Sequence, residues 1–186
     1  VDVVHQAAER SDRLVARVLS DEAVLNVTGR PPVVPANERV EIVGAMRQVF
    51  DADIFNPGRP LRDKPSDVIY ARTKVDVGPV AVDQWLKPRK LSVADTVGHT
   101  TNLTKTDGVL GYVPGAWDVF HIGHLNILKR AREQCDRLVV GVVTDEALFQ
   151  AKGKYPMVSL EERMEVVAAM NIVDAVVVDF STSKLN

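Results

Sequence analysis

The stretch REQCDRLVVGVVTDEAL, Arg132–Leu148, decides the fold. Its centre, Arg137–Val143, is a near-continuous β-branched run of the kind that forms a strand buried on both faces of a parallel sheet. Upstream, Ile127, Leu128 and Ala131 recur at helical spacing, so a helix is expected to lead into that strand. The same text occurs earlier as AERSDRLVARVLSDEAV, Ala8–Val24. Laying residues 1–49 over 125–173 without a gap gives roughly 20 identical positions of 49, far above chance, so one unit is present twice. A second matched block, NERVEIVGAM at Asn37–Met46 and EERMEVVAAM at Glu161–Met170, continues the repeat.

Beyond the deciding stretch, a polar segment carries Lys152, Gly153 and Lys154, and Ser159-Leu-Glu-Glu reads as a helix N-cap with glutamate at the third helical position. A helix over Leu160–Asn171 and a strand over Ala175–Val178 are expected to follow. Before it, Val109–Val113 reads as a short strand closed by a Pro114-Gly115 turn. The pattern is α/β, a doubly wound parallel sheet of Rossmann-like type, built from two related units. The first, 1–105, lacks the segment that opens the second; the second, 106–186, lacks the continuation of the first. Both units therefore read as incomplete. Residues 54–66, with three prolines, read as a linker, a lid or a plain surface loop.

The chain has 186 residues, enough for a sizeable core, and a formal net charge of −2 with both signs interspersed. No basic stripe points to nucleic acid. Cys135 is the only cysteine, which excludes an internal disulfide and a cysteine-built zinc site and fits a reducing, cytoplasmic setting. No run of about 18 apolar residues predicts membrane insertion, and no signal-peptide pattern is present. The chain opens on Val1 without methionine and reads as processed, trimmed or partial.

The strongest chemical signal is His121-Ile122-Gly123-His124, between a strand and a helix start at the carboxyl edge of the expected sheet. Ligands of such sheets bind at that edge. Two imidazoles three residues apart can donate to phosphate oxygens, and the free N–H groups and dipole of a helix N-terminus favour the same charge. Gly123 permits close backbone approach. The other readings are that the histidines cap or pack, or that they bind metal. Zinc would want further ligands, and none is nearby in sequence, so no metal site is expected in the protein itself.

With these residues stated, GYVPGAWDVFHIGHLNILKRA resembles the G-x-F-D-x-x-H-x-G-H signature of the cytidylyltransferases, a branch of the H-x-G-H nucleotidyltransferases that includes glycerol-3-phosphate and phosphoethanolamine cytidylyltransferases. Trp117 stands where phenylalanine is usual. The resemblance covers about residues 109–180. It implies attack by a substrate phosphate on the α-phosphorus of CTP with release of pyrophosphate, His121 and His124 stabilising the charge and no covalent enzyme intermediate. It further implies Lys152 as a catalytic group. Ala116, Trp117, Asp118, Gly123, Lys154 and Arg163 are implied to bind nucleotide or substrate. Mg2+ is expected with the triphosphate, held mainly by phosphate oxygens and water. Homodimers are common among such relatives, and a homodimer is expected.

Each residue also has a structural reading: Lys152–Lys154 as a solvated flexible loop, Arg163 as an ion pair on its own helix, Asp118 as a brace of the turn, Asp145 as a turn residue ending the strand. The family closes its nucleotide site with a late R-T-x-G-[IV]-S-T-T segment. Asp95-Thr-Val-Gly-His-Thr-Thr-Asn-Leu-Thr-Lys105 resembles it with one residue missing and aspartate for arginine, which adds Gly98, Thr100 and Thr101 to the expected site. The acidic pair that relatives carry between these segments is absent near Ser66–Arg72. In the first copy, Thr28-Gly29-Arg30 replaces Lys-Gly-Lys. Two arrangements stay open: a composite site joining the histidines of copy two to the clamp of copy one, or a longer tandem enzyme cut at both ends. ATP in place of CTP, and a non-catalytic nucleotide-binding or dimerisation module, are the alternative functions.

Overall fold

The computed structural model describes residues 1–57, 70–71, 84–85 and 108–181. The chain divides into two compact units, Val1–Arg89 and Lys90–Asn186. The second is built from β5 (Leu110–Gly115), a helix over Ile122–Arg132, β6 (Arg137–Val143), helices over Asp145–Lys152 and Leu160–Ala168, and β7 (Ala175–Asp179). The first comprises α1 (Asp2–Ala8), β1 (Val15–Leu19), α2 (Asp21–Thr28), α3 (Ala36–Gly44) and β2 (Asp51–Phe55), with a short parallel pair β3 (Tyr70–Ala71) and β4 (Gln84–Trp85). The second unit's helices are hereafter α4, α5 and α6 in chain order.

Strands β5, β6 and β7 form one parallel sheet in that order, from Leu110↔Arg137 and Val139↔Ala175 at one end to Gly115↔Val142 and Val143↔Asp179 at the other. Parallel neighbours need a crossover, which α4 supplies between β5 and β6 and α5–α6 supply between β6 and β7. Leu138–Val143 are all buried although successive residues point to opposite faces, as the β-branched run requires. Leu125 and Leu128 of α4 and Met164 and Val167 of α6 are sealed in the same core. Each such side chain contributes about 1.5–3 kcal/mol by leaving water. The α/β parallel-sheet class expected from the sequence is therefore the fold observed.

Several element boundaries differ from expectation, each for a local reason. Ile127 is exposed; the core stripe of α4 is Leu125 and Leu128. Pro114 and Gly115 are not a turn but the end of β5, paired with Gly141 and Val142. Among the described residues β5 pairs on one side only, where a proline without N–H is tolerated. Asp145 opens α5 rather than ending β6, because the Thr144 side chain caps that helix by accepting from Ala147 N–H. Lys152 is the last helical residue and no free loop: Gly153, at φ +69°, donates its N–H to Phe149 O at 2.8 Å and closes the helix in the left-handed conformation that favours glycine. Helix α6 starts at the expected Ser159 cap, whose side chain accepts from Glu162 N–H, but ends at Ala168, short of Asn171.

The first unit repeats this local geometry. Strands β1 and β2 pair in parallel from Val15↔Asp51 to Leu19↔Phe55, each partner displaced by 124 residues from the pairing of β6 with β7. Ser20 caps α2 as Thr144 caps α5, and Gly29 ends it at the same φ of +69°. Arg39 donates to Val34 O and pairs with Asp21, as Arg163 does with Val158 O and Asp145.

Candidate functional site

Strand β5 delivers the chain to its carboxyl edge, where the turn Ala116–Phe120 precedes α4. Trp117 and Val119 have φ of 55° and 46°, a left-handed backbone that non-glycine residues adopt only when their surroundings hold them there. Two anchors do so. The Trp117 indole is buried and donates to Gly141 O on β6 at 2.9 Å. The Asp118 carboxylate accepts from Met157 N–H at 2.9 Å and Val158 N–H at 3.0 Å, which fastens the segment after α5 to the histidine turn. Asp118 thus braces two segments, not the turn alone.

His121 is the N-cap of α4, and its Nδ1 accepts from Gly123 N–H at 3.0 Å. His124 Nδ1 lies 3.4 Å from His121 N, which donates to it. Backbone N–H groups can only donate, so both Nδ1 atoms are acceptors and the proton of each neutral ring sits on Nε2. The two rings are neighbours, with centroids 4.0 Å apart, and His124 also touches Trp117 and Phe120. Burial, then the neighbouring His121, push the His124 pKa down to about 4 against a smaller opposing pull from Asp118. His124 is therefore a neutral Nε2–H donor at pH 7. His121 is exposed and His124 part-buried, so the cluster opens to solvent at the sheet edge. A Cβ on Gly123 would stand 2.7 Å from the His121 ring, which explains glycine between the histidines.

The capping and ligand-binding readings of these histidines are compatible, because the caps use Nδ1 and leave Nε2 free to act elsewhere. Among the described residues no group of three or more His, Cys, Asp or Glu is arranged to hold a metal ion. Nor does any described helix have the length and apolarity to cross a membrane.

Arg163 is 1% exposed. Its guanidinium donates to Val158 O at 3.0 Å, to Val143 O at 2.9 Å, to Ala116 O and to the Asp145 carboxylate. Its acidic partner lies on α5, and not on its own helix as the alternative reading had it. One buried cation thus joins the histidine turn, the end of β6, the start of α5 and the approach to α6. Ala116 lends its carbonyl to that arginine and packs on Val143, Ala147 and Leu148. Lys152 and Lys154 are exposed at the end of α5 and just beyond it. Gly98, Thr100 and Thr101 lie outside the described residues, as do most of the 54–66 segment and Ser66–Ile69.

Two features escaped sequence reasoning. Phe149 and Tyr155 stack, with centroids 4.6 Å apart and planes at 20°. Tyr112 donates to the buried Asp179 carboxylate at 2.7 Å, and burial, then that acceptor, raise its pKa to about 12. No motif marks either pair; the first could have been noticed because residues 25 and 31, their counterparts in the first copy, are Leu and Pro.

The turn therefore sets two neighbouring imidazoles at the N-terminus of α4, beside the carboxyl edge of the parallel sheet. Residues 112–184 match the family described as cytidylyltransferase-like. The ethanolamine-phosphate cytidylyltransferase of Arabidopsis thaliana is 46% identical over 77 residues, 41% of this chain and 18% of that protein. An FAD synthase of Thermococcus sibiricus is 40% identical over 76 residues, 41% of this chain and 51% of that protein. The bifunctional protein HldE of Gluconacetobacter diazotrophicus is 30% identical over 196 residues, 95% of this chain and 40% of that protein. The cytidylyltransferase-like match is confined to residues 112–184, and the chain spans about half or less of the length of these relatives.

Proposed function

We propose that the chain transfers a nucleotidyl group, CMP from CTP, to a phosphorylated small alcohol and releases pyrophosphate. One observation carries this reading: both imidazoles keep Nδ1 occupied by backbone N–H groups, so their remaining N–H donors are fixed in number and direction at the N-terminus of α4. An acceptor phosphate oxygen attacks the α-phosphorus. The new P–O bond forms as the bond from the α-phosphorus to the oxygen bridging to the β-phosphate breaks, and pyrophosphate departs with the electron pair. The nucleophile is already an anion and needs no general base. The protein's contribution is placement and preorganised donors for charge that builds on phosphate oxygens.

In this reading His121 and His124 address the triphosphate through their Nε2–H donors, the Gly123 N–H holds the His121 ring, Lys152 and Lys154 add positive charge, and Trp117, Asp118, Ala116 and Arg163 hold the turn in place. Gly98, Thr100 and Thr101 are proposed to close the nucleotide side. Mg2+ enters with the triphosphate, held by its oxygens and water. Residues 1–105 are proposed to be a second copy of the unit without the histidine turn, a reading supported by the register shared with residues 106–186. A homodimer is proposed as the working assembly.

ATP is the second reading. It is favoured by the FAD synthase match, since that protein's product contains an adenylyl group. The test is pyrophosphate release with CTP or ATP across glycerol 3-phosphate, phosphoethanolamine and sugar phosphates. Release with CTP that falls at least a hundredfold in His121→Ala is expected. No release with any pair, with nucleotide bound equally by His121→Ala and the wild type, would make the chain a non-catalytic module.

A further inference from the structure

The internal repeat separates what the fold needs from what the site adds. The two copies share the helix cap, the left-handed glycine and the arginine–aspartate pair at equivalent places, although only Arg163 is sealed from solvent. Phe149 and Tyr155 are not shared: Leu25 and Pro31 stand there, and the same helix and turn form without an aromatic pair. Leu25 is 44% exposed and Phe149 43%, so neither ring position belongs to the core. Tyr155 is 61% exposed. Two rings stacked on each other in water leave broad apolar faces open on the copy that carries the histidines.

These rings are tied to the site by chain geometry. Phe149 and Lys152 are one helical turn apart on α5 and share a face. Tyr155 follows Lys154 and lies two residues, at most about 7 Å of chain, before Met157. Met157 N–H is held by Asp118, three residues from His121. We infer that the Phe149–Tyr155 pair is the platform for the non-phosphate body of the acceptor, and that the acceptor is a ring-bearing phosphomonoester such as a sugar phosphate. This rests on the nucleotidyltransferase reading and narrows its substrate. The lysines take the phosphate and the aromatic faces take the flat carbon face of the ring attached to it. The same lysines disfavour a cationic body, and a short open chain covers too little of the platform to use it.

The experiment measures steady-state pyrophosphate release with CTP and Mg2+, and calorimetric binding of the acceptor alone. Hexose 1-phosphate is compared with glycerol 3-phosphate and phosphoethanolamine, in the wild type, Tyr155→Ala and Phe149→Leu. The leucine is the residue that the first copy accommodates at the equivalent place, so that variant folds. The expected result is that hexose 1-phosphate is preferred. Its KM and dissociation constant rise about tenfold in Tyr155→Ala and less in Phe149→Leu, with kcat and the KM for CTP little changed. A rise in the KM for CTP in place of the acceptor's, or equal losses for open-chain and ring acceptors, would overturn it. If no pair releases pyrophosphate yet hexose 1-phosphate binds tenfold more weakly to Tyr155→Ala, the enzymatic reading falls and the platform stands. If the wild type binds no hexose phosphate, the platform falls by itself.

Discussion

Replacing Arg163 with methionine removes the one cation that joins the histidine turn, β6, α5 and α6 while keeping much of the side chain's apolar bulk. Three backbone carbonyls and the Asp145 carboxylate then lose their donor. A carbonyl left unsatisfied in the interior costs about 1–3 kcal/mol, and removing one member of a buried ion pair about 3–5 kcal/mol. These terms overlap, and Asp145 is 32% exposed and can recruit water, so the total expected is about 3–5 kcal/mol. The repeat supplies a control. Arg39 makes the matching pair with Asp21, but the two side chains are 23% and 49% exposed, so Arg39→Met should cost about 1 kcal/mol or less.

The assay is urea unfolding followed by tryptophan fluorescence in a Trp85→Phe background, where buried Trp117 reports the second unit alone. At an m-value on the order of 1–2 kcal/mol/M, Arg163→Met should lower the midpoint by roughly 1.5 M or more, and Arg39→Met should leave the Trp117 transition in place. Equal effects of the two substitutions, or a midpoint change below about 0.5 M for Arg163→Met, would refute the reasoning.

Other outcomes follow from the same geometry. Asp118→Asn keeps one acceptor oxygen where two N–H groups now converge, and should lower kcat about tenfold or more with a smaller change in the urea midpoint; an unchanged kcat would contradict its bracing role. Gly123→Ala puts a methyl against the His121 ring and should weaken triphosphate binding about tenfold by calorimetry, which an unaltered affinity would contradict. His124, with its pKa pushed down to about 4 by burial first, is depressed in the folded state relative to an unfolded value near 6.5. The unfolded chain therefore takes up its proton first, and this group removes stability as pH falls from about 6.5 towards 4. A His124→Gln variant should lose that part of the midpoint's pH dependence. The Tyr112 phenol, raised to about 12, should stay un-ionised at pH 11 in an absorbance titration at which exposed tyrosines ionise; early ionisation would remove the Asp179 bond from the account.

What could be read in the sequence was the part encoded by period and repetition. The run at Arg137–Val143 appears as a strand with the same bounds, because six consecutive residues without a polar side chain, Leu138–Val143, suit a strand buried on both faces. Ser159 opens its helix as its hydroxyl and following glutamates predict, whereas the Thr144 cap is hidden because an aspartate after a strand suits a turn as well as a helix start. The histidine turn was legible because its chemistry is local. Arg163 was not, since its partners Ala116, Val143 and Asp145 lie 18 to 47 residues away. A charged residue in a helix pattern ordinarily faces solvent, and only tertiary contacts show that this one is sealed. The aromatic pair was equally silent: Phe149 sits on a helix and Tyr155 beyond its cap, and the left-handed Gly153 between them is what turns the chain back.

The measurement that bears most directly on the account is a long-range proton–nitrogen NMR spectrum of His121 and His124 at pH 7, recorded with and without CTP and Mg2+. Both rings should show an unprotonated Nδ1 and a proton on Nε2, and the Nε2 signals should move on adding nucleotide while the Nδ1 signals stay. Rings protonated on Nδ1, or Nε2 signals indifferent to saturating nucleotide, would contradict the claim that these imidazoles face phosphate.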